Sequence, residues 1–514
     1  MFFTKEIKQR EIKKIDNTKY GVNSSYGRSI TSIQTAKDEL FKAHLEYNPL
    51  DFINSKAQFF GLELGTKTPI YLSFNDSTHL LYVGPTRSAK GVALAHRAVE
   101  TLRLKKGLII IDPKKDDFLA QVILEELARQ NRPNDMLVAS FPLNFSYSGF
   151  DFNDTPLEFA NKLIVALNLT PTGEAATDYY RRNERTILKK VLLYFQNSKS
   201  FLNVEFELNY KSLANFLKYL TDDLISTQNY NSEFSKSKPN FESLEKFSKR
   251  FFESKSFEKL DLSFDDIPIL KGLHQTISEL CDANIYSKIN ICDALHHGKI
   301  IYIQADQLDE SSLKMLKILQ VDILQKSKKK NANCVVIADE VSFYATKVLA
   351  DSLSTIAGFG VQYILALQDL AQLNDPLIKN PILSNCQTKL FYKSSDLETL
   401  NYIEKISGKE LVSQITKNNL DVSIKQTQED FLNITRLRAL KRDRVSVLIC
   451  EALPAPLICQ VWHIVVKEKF DWSLYDVEKF KPIISVLKKD FSFSFLEKKN
   501  EENDKTELKN EVEL

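Results

Sequence analysis

Apolar and polar positions along this chain follow two rhythms, and the switches between them divide it. Short runs that are almost wholly apolar stand at Leu80–Val83, Leu108–Asp112 and Met136–Ser140, separated by stretches of helical period near 92–105 and 116–130. Runs without an alternating polar face suit strands buried on both sides, as in a parallel sheet with crossover helices. From 151 to 290 the rhythm becomes almost entirely helical. Thr155-Pro156-Leu157-Glu158 reads as a helix start, with a capping threonine, a proline in the first turn and a glutamate three residues after the cap. Apolar stripes follow at Ile187, Leu188, Val191, Leu192 and Phe195, and at Leu213, Phe216, Leu217, Leu220 and Leu224. The Asn/Ser/Lys-rich piece from Thr227 to Asn240 predicts a long loop inside this block.

Strand–helix alternation resumes near residue 299. Lys299–Gln304, Cys334–Ala338, Gln362–Leu367 and Lys389–Tyr392 predict strands, with helices near 310–327, 347–357 and 396–406. The apolar region from Val445 to Val466 is broken by Glu451, Pro454, Pro456 and Gln460, which predicts two strands around a Pro-Ala-Pro turn. The expected fold class is α/β. A mostly parallel central sheet is built from 60–150 and 291–484, and 151–290 form an inserted all-α domain. Residues 1–59 form a polar N-terminal segment of mixed charge. The charged tail, 485–514, reads as disordered: from Glu497 onward it has seven acidic and four basic residues and almost no apolar ones.

Composition narrows the class only a little. The chain has 514 residues, 43% of them hydrophobic, enough for two to three domains with real cores. A net charge of +2 neither demands nor excludes a polyanionic partner. Six cysteines without C-x-x-C spacing sit mostly in apolar runs and read as reduced, buried thiols. The adjacent His296 and His297 read as a helix-end feature rather than a metal site. Neither a secretory leader nor an apolar stretch of the roughly 18 residues a membrane span needs is present. The expectation is a cytoplasmic protein.

The chemistry gathers at strand ends. In LLYVGPTRSAKG (80–91) an apolar strand runs into a small-residue loop and a lysine, followed by a helix. That order builds a phosphate-binding loop, in which backbone N–H groups and a helix N-terminus face phosphates and Lys90 adds a point charge. Gly84, Pro85, Thr86, Arg87, Ser88, Ala89, Lys90 and Gly91 are the candidate nucleotide contacts. Against the usual G-x-x-x-x-G-K-[ST], Ala89 replaces the second glycine and Gly91 replaces the hydroxyl residue. Downstream, CVVIADE (334–340) is an apolar strand ending in two carboxylates: Asp339 to serve Mg²⁺, Glu340 to orient or deprotonate the attacking water. A third strand ends in Gln368, an amide placed to sense a γ-phosphate, with Gln372 four residues on. A fourth, LIIIDPKKDD (108–117), ends in Asp112 and Lys114. In open α/β sheets ligands gather at this edge.

These segments resemble the coupling proteins of type IV secretion and conjugation, the TraG/TraD group within the FtsK/HerA-like branch of P-loop motors. The likeness runs through GPTRSAKG (84–91), IIDPKKD (110–116), DALHHGKIIYIQ (293–304), VVIADEVSF (335–343), LALQDLAQL (365–373) and NCQTKLFYKSSDLETLNYIEKISGK (385–409). Glycine after the lysine is that group's habit, its loop commonly reading GPTRSGKG. The resemblance implies a RecA-like P-loop ATPase with an all-helical insertion, binding ATP and Mg²⁺ and working as a homo-hexameric ring. Its implied partners are single-stranded or duplex DNA, relaxase or adaptor proteins, and components of the type IV secretion channel. The acidic tail suits basic relaxase or adaptor surfaces.

Two departures stand out. Alanine at 89 keeps the loop only if its φ is negative or the strain is modest. With Gly91, Mg²⁺ has one protein ligand fewer, to be replaced by water, Thr86 or Ser88. The group usually carries N-terminal transmembrane helices, and here none is read, so association with the cytoplasmic face of the inner membrane needs a partner. An arginine finger is not assignable: Arg181, Arg182 and Arg185 read as solvated helix charge, as does the basic run Lys328–Lys330. Two alternatives stay open. One is a related secretion ATPase that acts on protein substrates. The other is a weakly hydrolysing nucleotide-binding scaffold that recruits substrates.

Overall fold

The computed structural model describes residues 46–472, apart from 65, 142–146, 152, 198–208, 235–261, 281–288, 418–421 and 441–443. The chain enters through two short antiparallel strands, β1 (Gln58–Glu63) and β2 (Pro69–Leu72). Alternation then begins as the apolar runs foretell: β3 (Leu80–Val83), α1 (Lys90–Arg103), β4 (Gly107–Asp112), α2 (Asp117–Arg129) and β5 (Met136–Phe141). Four helices follow: α3 (Pro156–Ala166), α4 (Ala175–Asn197), α5 (Tyr210–Phe234) and α6 (Ile267–Ser278). The sheet is re-entered by way of α7 (Cys292–His297), β6 (Ile300–Ala305), α8 (Glu310–Lys329), β7 (Cys334–Ala338), α9 (Lys347–Ile356), β8 (Val361–Leu367), α10 (Pro376–Asn385), β9 (Thr388–Tyr392) and α11 (Leu397–Ile406). The last described elements are β10 (Lys409–Lys417), β11 (Val422–Asp430), α12 (Ile434–Arg438), β12 (Val445–Cys450) and β13 (Leu457–Gln460).

One sheet of eleven strands in the order β2-β1-β13-β12-β9-β3-β8-β7-β4-β6-β5 carries the fold. The seven strands from β9 to β5 are parallel, and the four at the other edge are antiparallel. The central strands explain why continuous apolar runs predicted them. Leu80 to Val83, Leu108 to Ile111 and Cys334 to Ala338 are buried at every position, so neither face leaves room for a polar residue. The approach of α7 to the start of β4 is equally tight. A Cβ on Gly107 would lie 1.6 Å from the Ala294 carbonyl oxygen, so only glycine fits there.

The capping box foreseen at Thr155 starts α3, with Glu158 N donating to Thr155 Oγ1 at 3.2 Å and Thr155 N to Glu158 Oε2 at 2.8 Å. The stripe Ile187, Leu188, Val191, Leu192 and Phe195 is buried, as are Leu213 and Leu217. Between β5 and β6 every described element is helical. A buried ionic cluster joins this block to the sheet layer. Lys162 on α3 is fully buried, its Nζ 2.6 Å from both the Asp154 and the Asp322 carboxylates and donating to the Gly149 carbonyl at 2.9 Å. From α8, Lys326 pairs with Asp151 and sits 3.0 Å from Asp154. Tyr147 completes the set by donating to Asp322 at 2.8 Å.

One local expectation is corrected, and two elements had none. The loop expected from Thr227 is helix as far as Phe234, because no glycine or proline stands in that stretch to end α5; the rest, to Asn240, lies outside the described residues. α10 was hidden by Pro381 within it, a residue that ordinarily ends a helix. The hairpin β10–β11, paired from Lys409↔Asp430 to Lys417↔Val422, forms a separate two-stranded sheet and lacks the apolar run that marks the core strands. The pair around the Pro-Ala-Pro turn is present as β12 and β13. The charged tail lies outside the described residues, as does the N-terminal segment before residue 46.

Candidate nucleotide-binding site

Four strands that are neighbours in the sheet, β3, β8, β7 and β4, end within two residues of one another. Val83 is in register with Leu367, Ala338 with Leu365, and Ile111 with Ala338. Two further bonds carry the ladder past the strand ends, from Gly84 N to the Leu367 carbonyl and from Asp339 N to the Ile111 carbonyl, both at 3.0 Å. Gly84, Gln368 and Asp339 follow β3, β8 and β7, and Asp112 ends β4, so the four residues gather at one edge of the sheet.

The loop after β3 turns sharply, with Ser88 N donating to the Pro85 carbonyl at 3.2 Å. Gly84 must be glycine, since a Cβ there would lie 2.7 Å from both Ser88 Oγ and Tyr392 Cβ. Thr86 and Arg87 are exposed. Arg87 and Ala89 both adopt left-handed conformations, at φ 65° and 73°. The sequence left two options open for Ala89, and the structure takes the strained one. Ala89 is the N-cap of α1 and offers no side-chain cap, so the first-turn N–H groups face the loop without a side-chain acceptor.

Lys90 opens α1 and is buried. Its Nζ lies 3.2 Å from Glu340 Oε1 and 3.7 Å from Asp339 Oδ1. Lys114, from the turn after β4, reaches the same pair, bonding Glu340 Oε1 and lying 3.5 Å from Asp339 Oδ2. Gln368 Nε2 donates to Glu340 Oε1 at 3.3 Å, and Gln372 Oε1 accepts from Gln368 N and Ser342 Oγ at 3.1 and 3.2 Å. Glu340 itself is fully buried at φ 45°, a left-handed residue placed directly after β7. Burial pushes its carboxyl up, but Lys90 and Lys114 outweigh burial and hold it below the usual range. Asp339 and Glu340 together raise Lys114 against the opposing effect of its own partial burial.

Asp112, expected among the nucleotide contacts, spends its carboxylate inside the protein. It accepts from Lys114 N at 2.8 Å, Asp116 N at 2.6 Å and the Tyr302 hydroxyl at 2.6 Å. Burial raises it to about 6, against the pull of those donors. Its place is thus behind the turn that presents Lys114. The sequence had marked Lys114 only as a strand-end cation. Its closeness to Glu340 depends on β4 lying next to β7, a pairing that no local motif records.

Two side-chain oxygens in this region, Ser88 Oγ and Glu340 Oε2, are buried without a hydrogen-bond partner. Such orphaned atoms, beside an uncapped helix N-terminus, two lysines and paired carboxylates, fit a phosphate-bearing ligand with a hard cation. Of the two hydroxyls weighed as Mg²⁺ ligands, Ser88 Oγ is turned toward Gly84 and Thr86 is exposed.

Two of the three arginines considered as fingers have other duties. Arg181 and Arg185 donate to the Thr170 and Leu169 carbonyls beyond α3, at 2.9 and 2.6 Å, while Arg182 is exposed. Lys389 donates to the Cys386 carbonyl at 2.6 Å. Lys328–Lys330 are exposed, with Lys329 2.7 Å from Glu158. His296 and His297 occupy the last turn of α7. Among the described residues the cysteines are free thiols, and no group of three or more His, Cys, Asp or Glu side chains is placed to hold a metal. No helix among them is long and apolar enough to cross a membrane.

Residues 333–442 match the family described as the TraM recognition site of TraD and TraG. That stretch begins at β7 and so includes Asp339, Glu340 and Gln368. No curated protein matches the chain in sequence. Among solved structures, the unbound bacterial conjugative coupling protein TrwBdeltaN70 aligns with a TM-score of 0.55 at 13% identity, covering 82% of this chain and 91% of its own. The plasmid coupling protein TrwB in complex with ADP and Mg²⁺ gives 0.54 at 14%, covering 82% and 92%. The same protein with a non-hydrolysable ATP analogue gives 0.53 at 14%, with the same coverage. At these identities the likeness is one of fold. The chain has the fold of the conjugative coupling proteins, and its residues 333–442 are similar to the TraM recognition site of TraD and TraG.

Proposed function

We propose that the chain is an ATP-driven motor that couples DNA or nucleoprotein substrates to a type IV secretion or conjugation channel. The observation that carries this reading is the meeting of Lys90, Lys114 and Gln368 on one buried carboxylate, Glu340, at the ends of adjacent parallel strands. In this role Gly84 to Gly91 wrap the phosphates with backbone N–H groups and Lys90 grips them. Asp339 holds Mg²⁺, which when bound neutralises charge on the transferring phosphoryl group. Glu340 orients and deprotonates the attacking water, and Gln368 reports the γ-phosphate through its bond to Glu340. Asp112 acts at one remove, through the turn that presents Lys114.

A single protomer supplies only part of such a site, since a P-loop motor's site is commonly completed by a neighbouring subunit; a homo-hexamer is the assembly this reading requires. Residues 333–442 point to a TraM-type accessory protein as a partner, alongside relaxase or adaptor proteins and channel components. Work at the cytoplasmic face of the inner membrane would then run through such partners.

The test is ATP turnover with and without single-stranded and duplex DNA, alongside Lys90→Ala and Glu340→Gln. The wild type should turn over faster than both variants and respond to DNA. Turnover no faster than that of Glu340→Gln under every condition sinks the motor. Turnover indifferent to DNA but stimulated by a protein substrate points to a protein-secreting relative instead. The strained Ala89 favours one further reading, a recruitment scaffold that binds nucleotide and barely hydrolyses it, which nucleotide binding without turnover would reveal.

A further inference from the structure

Phosphate-binding loops ordinarily place a serine or threonine directly after the lysine, with its hydroxyl on Mg²⁺. Here that position is Gly91, and the structure shows what stands beside it. A Cβ on Gly91 would lie 3.3 Å from Asp116 Oδ2, so the carboxylate of Asp116 borders the space a serine hydroxyl would use. Asp116 arrives from another element, the turn between β4 and α2, and its position is well fixed. Its N–H donates to Asp112 Oδ2 at 2.6 Å, and its Oδ1 caps α2 by accepting from Phe118 N at 2.9 Å. Asp339 ends the strand next to β4, and the buried, unpartnered Glu340 Oε2 belongs to the residue after it. The charge of Asp339 acts on Asp116 through space. Mg²⁺ is typically held by one or two carboxylates together with substrate phosphates.

Resting on the nucleotide-site reading above, we propose that Asp116 replaces the missing hydroxyl as a protein ligand for Mg²⁺, directly or through one bound water. Asp116 and Asp339, from adjacent strand ends, then share the ion with the phosphates. Gly91 belongs to the same arrangement, because any side chain there crowds the Asp116 carboxylate. Asp116 also caps α2, and the test must separate that duty from metal binding. Asparagine caps a helix as well as aspartate does, so Asp116→Asn keeps the cap and removes the anionic ligand.

The experiment measures Mn²⁺ affinity by electron paramagnetic resonance in the full chain with a non-hydrolysable ATP analogue, and affinity for the analogue in excess chelator. Asp116→Asn should weaken Mn²⁺ binding by about tenfold or more. The same variant should bind the metal-free analogue at least as tightly as wild type, since a carboxylate that repels phosphate has been removed. In Asp116→Ala, adding Gly91→Ser should recover part of the lost Mn²⁺ affinity, because the hydroxyl returns to a space now open. A purely structural aspartate predicts no such opposite signs. Mn²⁺ affinity unchanged in Asp116→Asn, with nucleotide still bound, overturns the inference and leaves the motor reading standing. Failure of the wild type to bind the analogue overturns both.

Discussion

Ala89→Gly is the substitution whose outcome depends most directly on the geometry of the loop. Ala89 sits at φ 73° and ψ 19°, a left-handed conformation that costs an L-residue roughly 1–2 kcal/mol. Glycine removes that cost but gives the unfolded chain more freedom, which takes back about 0.4–1 kcal/mol. The methyl group is half-buried, so losing it forfeits about 0.4 kcal/mol, half the value of a fully buried CH₂. The balance is a small stabilisation, about 0.5 kcal/mol, or a rise of ~1 °C in melting temperature for a unit of this size. A matched control makes so small an effect readable. Ala128 is exposed near the end of α2, and Ala128→Gly should lose about 0.5–1 kcal/mol by the ordinary helix penalty. Thermal and urea unfolding of both variants should therefore give opposite signs. If Ala89→Gly falls by as much as Ala128→Gly, residue 89 is not left-handed and the strain argument is wrong. Since the loop holds this conformation before nucleotide arrives, the same variant should change nucleotide affinity by less than about threefold.

Other substitutions probe separate parts of the fold. Lys162→Met strands the buried Asp154 and Asp322 carboxylates and should cost about 3–5 kcal/mol in urea unfolding; a loss under 1 kcal/mol would mean that water or rearrangement compensates the cluster. Gly107→Ala drives a Cβ to within 1.6 Å of the Ala294 carbonyl and should abolish soluble protein. Gly272→Ala, with nothing within 4 Å, should stabilise α6 by about 0.5–1 kcal/mol. For Glu340 the sign follows from its depressed carboxyl. A folded value below the unfolded one contributes stability above 4.5 that is lost as pH falls through the folded value. The stability difference between wild type and Glu340→Gln should accordingly narrow on acidification below 4.5, and a difference that widens would contradict the pairing with Lys90 and Lys114.

The sheet was legible because parallel strands buried on both faces must be apolar at every position, as β3, β4 and β7 are. The helical block was legible through its capping box and stripes. What escaped the sequence lacked a local signature. Among the described residues β10 and β11 pair only with each other, and Pro381 disguised α10. At the site, Asp339, Glu340 and Gln368 announced themselves by ending apolar runs and Lys90 by following a small-residue loop, whereas Lys114 and Asp116 matter through what lies across from them. The first meets Glu340 because β4 and β7 are neighbours, and the second borders Gly91 because α1 and α2 start side by side. Sequence spacing encodes contacts within an element, but these contacts come from strand order.

The two lysines on Glu340 bear on how a motor of the proposed kind would be restrained. A general base must accept a proton, and a carboxylate held below its usual range by two ammonium groups is a poor acceptor. The site as it stands is therefore set against premature use of Glu340. A polyphosphate gives Lys90 and Lys114 a partner more highly charged than one carboxylate. Each lysine drawn off Glu340 lets its carboxyl rise, with Gln368 still donating to it, and each unit of that rise is worth about 1.4 kcal/mol in proton affinity. The lysines need not leave together. Lys90 is buried at the start of a rigid helix, while Lys114 is more than a third exposed on a turn tied down through Asp112. Lys114 is thus the freer of the two and the better placed to couple phosphate arrival to release of the base. On this reasoning Lys114→Met should raise the folded-state pKa of Glu340 in the nucleotide-free chain, measurable by carbonyl-labelled NMR titration, while Lys90→Ala shifts it as well and also forfeits phosphate affinity. A Glu340 resonance that titrates identically in wild type and Lys114→Met would show that the lysine is not restraining it.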